Sequence, residues 1–276
     1  LRKKRDHYMS SLLSKLAFCF LFIIPCLFGF SAEETFFLID GVTNEKVFAF
    51  GPKLHERKSP CSTFKIILSL IGYDAKILND IDNPVWDYQE GYDNFLESWK
   101  NPQTPQSWMQ CSCVWFSKML ALQLGLEKLK NYLALLEYGN EDLSGGLTKP
   151  GSANTPAWIH SSLKISPYEQ VLFLQKMILG KLPISADAVA LTKRILFKEE
   201  LAEGWQLFGK TGWCGSIGNE NDGTLEYSWF VGWIEKKNLF FPFAYLICDK
   251  KIDLAQRIPR VKQLLAESNL IDLLRN

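Results

Sequence analysis

The sequence predicts an α+β fold: a mainly antiparallel sheet flanked by N- and C-terminal helices, with an all-helical domain inserted between its halves. Three observations carry this reading. Two β-rich runs around a turn-forming stretch lie at 34–50, two more follow at 226–248, and the chain between them has helical composition. Strands at both ends, with no internal repeat, mean that the sheet closes from the two ends of the chain. The expected partition is a signal peptide at 1–31, an α/β domain from 32–72 and 195–276, and the helical insertion at 73–194. A chain of 276 residues, 47% apolar and 13% aromatic, is long enough to bury such a core.

Taken in order, "LAFCFLFIIPCLFGF" at Leu16–Phe30 is an uncharged apolar run behind Arg2, Lys3, Lys4 and Arg5, short for a membrane span and interrupted by Pro25. It reads as a secretory signal with small residues before a cut near Ala32, so the mature protein is expected outside the cytoplasm, in the periplasm of a Gram-negative cell or secreted otherwise; an uncleaved anchor is the alternative. This segment carries +4 of charge and leaves −3 for the rest, so the formal net charge of +1 hides an acidic mature chain. No basic stripe marks a nucleic-acid partner.

"ETFFLIDGVTNEKVFAF" (34–50) reads as a hairpin. "KSPCSTFKIILSL" (58–70) is a loop becoming an apolar helix. "SKMLALQLGLEKLKNYLALLEYG" (117–139) and "SPYEQVLFLQKMILGKL" (166–182) are helical in composition, whereas 82–105 and 139–156 are rich in Pro, Gly and Asn and read as loops. The late runs, about 226–235 and 239–248, are strands joined by the turn "KKN". Ile258, Val261, Leu264, Leu265 and Leu270 approximate a helical stripe that would pack a terminal helix on the sheet.

Five cysteines remain after the signal: Cys61, Cys111, Cys113, Cys214 and Cys248. Their odd number leaves at least one unpaired, Cys111 and Cys113 are too close for an easy bridge, and cysteine is expected mostly to fill core. No C-x-x-C occurs and His7, His55 and His160 are widely separated, so no metal is expected.

Ser62 and Lys65 stand three apart, on one side of a helix if the turn is helical. A lysine serves as a base only when neutral, which burial promotes, and Phe64, Ile66, Ile67 and Leu68 provide apolar surroundings. A second S-x-x-K at Ser161 and Lys164 shows how weak the motif is alone. Further on come "SCV" (112–114), "YGN" (138–140) and "GKTGW" (209–213), the last in a strand-like setting.

In this order the motifs Ser62-Thr63-Phe64-Lys65, Ser112-x-Val114, Tyr138-Gly139-Asn140 and Lys210-Thr211-Gly212 resemble those of the class D, or oxacillinase-type, serine β-lactamases. The resemblance extends to Trp158 in "WIHSSLKIS" and to Arg257 ahead of the terminal helix, and it implies the penicillin-recognising serine-enzyme fold. It also implies a role for each residue. Ser62 is the nucleophile; Lys65, carboxylated by carbon dioxide or bicarbonate, is the general base, with Trp158 and Val114 stabilising the carbamate. Backbone N–H groups of Ser62 and Trp213 form the oxyanion hole, Ser112 and Lys210 relay a proton, and Thr211, Gly212 and Arg257 bind the substrate carboxylate. Tyr138 and Asn140 shape the site. No metal or organic cofactor is implied. The substrates would be penicillins, extending to oxacillin and cephalosporins, and a homodimer is compatible with this reading.

Two rivals share the acylation chemistry. A penicillin-binding transpeptidase or carboxypeptidase would favour S-x-N as its second motif, and "SAN" occurs at 152–154, though in a Pro- and Gly-rich loop. A β-lactam sensor domain would stall as a stable acyl-protein, but such receptors carry several membrane spans and a signalling region, against one short apolar segment here.

Overall fold

The computed structural model describes residues 32–215, 225–268 and 270; the signal expected at 1–31 and most of the 214–225 loop lie outside them. Strands β1 (Glu33–Ile39) and β2 (Lys46–Phe50) form the hairpin read at 34–50. A 3-10 turn (Cys61–Phe64) leads into α1 (Lys65–Asp74), followed by α2 (Pro105–Cys111), α3 (Val114–Leu124), α4 (Leu126–Leu135), α5 (Pro167–Ile178) and α6 (Ala186–Leu196). Then come β3 (Phe197–Glu200), β4 (Gln206–Cys214), β5 (Glu226–Lys236), β6 (Leu239–Asp249) and α7 (Arg257–Glu267).

The six strands form one sheet in the order β2-β1-β6-β5-β4-β3, every neighbouring pair antiparallel. Pairing of β1 with β6, Glu33 opposite Cys248 through Leu38 opposite Phe243, closes the sheet from the two ends of the chain as expected. Both faces of its centre are covered. On one side Phe36, Leu38, Phe230, Phe243 and Tyr245 meet Val261, Leu264, Leu265 and Leu270 of the terminal helical segment. Alternate residues Phe37, Ile39, Trp229, Val231 and Trp233 join the larger core with the other helices. Period-two alternation therefore persists, but both sets are apolar, which is why these strands read as nearly continuous hydrophobic runs.

From Ala32 onward the chain belongs to one compact unit. Within the stretch expected as the helical insertion, 73–194, α5 lies directly against β1, β5 and β6. Its start is fixed by a reciprocal cap: Ser166 Oγ accepts from Glu169 N at 3.3 Å while the Glu169 carboxylate accepts from Ser166 N at 2.9 Å, with Pro167 at the first helical position. Helix α1 is buried on every side from Lys65 to Tyr73, between α3 and α6, so it has no polar face. Ser62 does not cap it through its side chain; it sits inside the preceding 3-10 turn.

Candidate active site

The turn before α1 sets the nucleophile. Cys61 has a φ of +50°, a left-handed conformation unusual for a residue with a Cβ, and its N–H donates to the Trp158 carbonyl at 2.9 Å. This turn leaves Ser62 partly accessible between the buried Cys61 and Thr63. One turn later Lys65 is only 2% exposed, with its Nζ 3.3 Å from Ser62 Oγ. Burial is the main reason the Lys65 pKa falls to about 8; attraction to Cys113, Cys111 and Asp93 opposes that fall only in part. A neutral amine is therefore accessible near physiological pH.

Helix α2 ends on Ser112, whose φ of +61° turns its side chain toward β4. Lys210 Nζ donates to Ser112 Oγ and to the Thr211 carbonyl, both at 3.0 Å. Lys210 is 1% exposed, and burial, with repulsion from Lys198, Lys65 and Arg257, holds its pKa well below the ordinary lysine value. Val114 opens α3 and lines the same cavity as Ser62 and Ser112.

Strand β3 pairs with β4 only through Phe208, so the backbone edge of Gly209–Cys214 is left open toward Ser62. The Thr211 carbonyl uses this edge to accept from Lys210. Strand alternation puts the Trp213 N–H on the same edge, while the groups of Gly212 face β5. The nucleophile turn sits directly on this strand: a Cβ at Gly212 would stand 2.9 Å from the Pro60 carbonyl oxygen and 3.1 Å from Thr63 N, so glycine is required there by close approach.

Arg257, the first residue of α7, donates from Nε to the Leu254 carbonyl at 2.7 Å and from Nη1 to Ser228 Oγ at 3.2 Å. It lines the cavity beside Thr211, and burial lowers its pKa to about 10, leaving it a cation at neutral pH. The cavity occupies about 660 Å³ and is mostly apolar, with Phe95, Leu96, Trp99, Ile159 and Leu254 on its walls.

Trp158 is 2% exposed and stacks on Phe64 with ring centroids 5.0 Å apart. The buried indoles of Trp99, Trp108, Trp115, Trp229 and Trp233 each donate a hydrogen bond. Among the described residues the Trp158 N–H makes none, so a donor remains available beside Phe64 and α1. The segment that bears Trp158 is held by the YGN motif. Asn140 donates from Nδ2 to the Ser162 carbonyl at 2.8 Å and accepts from Lys164 N on Oδ1 at 2.8 Å. At Gly139 a Cβ would lie 2.3 Å from the Lys164 carbonyl oxygen. Tyr138 is buried edge-on against Phe173 and packs near Phe64.

The structure thus brings Ser62, Ser112, Val114, Thr211, Trp213 and Arg257 onto one cavity, with Lys65 and Lys210 beneath it and Trp158 stacked on Phe64. The second S-x-x-K is not assembled this way: Lys164 is exposed, and the Ser161 backbone bonds to the Ser59 hydroxyl, its N–H donating to Ser59 Oγ at 3.2 Å and its carbonyl accepting from it at 3.4 Å. "SAN" at 152–154 lies away from the cavity walls on a surface loop. Cysteine as mere core filling needs correction for two residues: Cys61 and Cys214 are joined as a disulfide with Cα atoms 6.1 Å apart. No motif marks the cavity walls at Asp93–Leu96 and Leu254, and Ile159 and His160 stand in the quoted Trp158 segment without a role of their own; the loop at 82–105 was legible as a loop, but not which of its residues faced inward.

Comparison with known proteins agrees with this geometry. Residues 44–266 match the penicillin binding protein transpeptidase domain family. The chain is 39% identical over 207 residues to β-lactamase OXA-1 of Escherichia coli, covering 75% of this chain and 72% of that relative. It is 35% identical over 221 residues to β-lactamase OXA-9 of Klebsiella pneumoniae, covering 78% of each. Among solved structures it is similar to the OXA-427 class D β-lactamase, at 35% identity and a TM-score of 0.75 over 85% of this chain and 97% of that one. It is also similar to a class D β-lactamase from Bacillus subtilis, at 31% identity and a TM-score of 0.73 over 87% of this chain and 93% of that one.

Proposed function

The chain belongs to the class D serine β-lactamases, within the wider penicillin-binding transpeptidase family, and on that premise we propose that Lys65 acts as an N-carboxylated general base. The protein hydrolyses the β-lactam ring through a serine acyl-enzyme, an activity that confers antibiotic resistance. The observation that carries the proposal is the buried Lys65 amine, its pKa lowered to about 8, lying 3.3 Å from Ser62 Oγ.

The residues around Lys65 fit a carboxylated side chain. The indole N–H of Trp158, which stacks on Phe64, is a donor only and suits an anion, while Val114 helps keep water from the apolar pocket. When present, the carboxyl group supplies a base where an ammonium would supply none.

The rest of the reading rests on this chain's own residues. Ser62 Oγ attacks the lactam carbonyl, giving its proton toward Lys65. The Ser62 and Trp213 N–H groups hold the developing oxyanion, a contribution of about 3 kcal/mol per donor. Ser112 passes a proton to the departing nitrogen; its hydrogen bond from Lys210, whose pKa burial has lowered, makes replacement of that proton easy. Thr211 and Arg257 hold the carboxylate of penicillins and cephalosporins, the planar guanidinium matching its shape.

Export to the periplasm is part of the same proposal, supported by the apolar run behind a basic start and by a disulfide suited to an oxidising compartment. The test of the reaction is to follow a chromogenic cephalosporin with and without added bicarbonate. Sustained turnover that bicarbonate increases in carbon dioxide-depleted buffer is expected; one equivalent of product followed by arrest in bicarbonate would overturn the reading.

A further inference from the structure

The two N–H groups assigned to the oxyanion hole each adjoin one half of the disulfide. Cys61 immediately precedes Ser62, and Cys214 immediately follows Trp213. The bond spans 153 residues of sequence and is buried, each cysteine being 1% exposed. Among the described residues no strand ladder fixes the separation of these two donors, because β3 pairs with β4 no further than Phe208. On one side of the nucleophile turn the approach to β4 is set by Gly212, whose missing Cβ admits the Pro60 carbonyl. The other side is held by Cys61–Cys214. Cys61 is also the residue with a φ of +50°, a conformation that persists only where surrounding structure imposes it.

We propose that the Cys61–Cys214 disulfide is a positioning element for the oxyanion hole, and that turnover depends on its oxidation state. The proposal rests on the assignment of the Ser62 and Trp213 N–H groups made above. Formation needs a disulfide-bearing oxidant such as oxidised glutathione. One cysteine thiolate attacks the reagent's S–S bond, releasing one glutathione thiolate and leaving a mixed disulfide. The second cysteine thiolate then attacks the protein sulfur of that mixed disulfide and releases the second. Two electrons pass from the cysteines to the reagent, and the two thiol protons end on the two molecules of glutathione. Dithiothreitol runs the balance the other way.

The experiment compares three forms of the full chain at saturating bicarbonate: oxidised parent, parent reduced by dithiothreitol under mild urea and returned to buffer, and Cys61→Ala/Cys214→Ala. Alkylation and mass measurement count the free thiols, circular dichroism reports folding, and a chromogenic cephalosporin gives kcat and KM. Misplacing an oxyanion donor should lower kcat at least tenfold, with KM changed less than about threefold. Oxidised glutathione should restore the reduced parent but not the variant. If the variant does not fold, the reduced parent alone decides. A reduced parent with two additional free thiols and kcat within twofold of the oxidised form would overturn the proposal. So would a loss confined to KM, or a reduced parent whose kcat is restored once bicarbonate is raised above the level that saturates the oxidised form, since the latter would place the defect at Lys65. Arrest of the oxidised parent after one equivalent would instead overturn the hydrolytic reading on which the proposal stands.

Discussion

Replacing Lys65 with methionine should abolish turnover yet stabilise the fold. The buried amine must stay neutral or be charged away from water, and its pKa drops from 10.5 to about 8 on folding. The unfolded chain therefore binds more protons between these values, and stability rises with pH across that window. Below pH 8 the burial penalty is fully present; above 10.5 it vanishes. It amounts to about 3 kcal/mol at pH 7 and about 1 kcal/mol at pH 10. Methionine fills similar space without a charge but gives up the 3.3 Å hydrogen bond to Ser62, worth about 1 kcal/mol. Burial thus wins at neutral pH, and Lys65→Met should gain about 2 kcal/mol in urea unfolding at pH 7, an advantage lost by pH 10. The comparison belongs in carbon dioxide-depleted buffer, because carboxylation confined to the native state would stabilise the parent by about 1.4 kcal/mol at ten times its dissociation constant. A variant less stable than the parent at pH 7, or a difference unchanged at pH 10, would refute the argument that Lys65 is buried at a cost the active site requires.

Trp158→Phe keeps the ring stacked on Phe64 but removes the indole N–H; turnover should fall about a hundredfold and recover in part as bicarbonate is raised, read from initial rates. Arg257→Ala removes the carboxylate partner, so KM for a penicillin should rise about 10- to 100-fold while KM for its methyl ester changes little. Asn140→Ala deletes the bonds to Ser162 and Lys164 that hold the Trp158 segment, and should cost about 1–3 kcal/mol in urea unfolding.

The β-hairpin and the paired late strands were legible as β-rich apolar runs bounded by turn residues, and the terminal helix by its apolar stripe. Helix α6 was not singled out, and β3 is only four residues, three of them charged, so it carries no strand signature. The motifs marked Ser62, Lys65, Ser112 and Lys210, since their spacing and order are properties of the chain, whereas Arg257 came only with the family resemblance. What escaped were relations across long separations. Pairing of Cys61 with Cys214 depends on the approach of the nucleophile turn to β4, and inward-facing Phe95 or Ile159 depends on loop conformation.

The pairing of β1 with β6 also imposes a schedule on synthesis. The earliest strand must wait for one made some two hundred residues later, at an elongation rate of about 5–20 residues per second, so the sheet is incomplete for most of translation. Such non-local pairing slows folding. The consequence is a built-in delay: until β6 has been made, the β1–β2 hairpin has no neighbour on its inner edge and the apolar residues of β1 have no finished sheet to join.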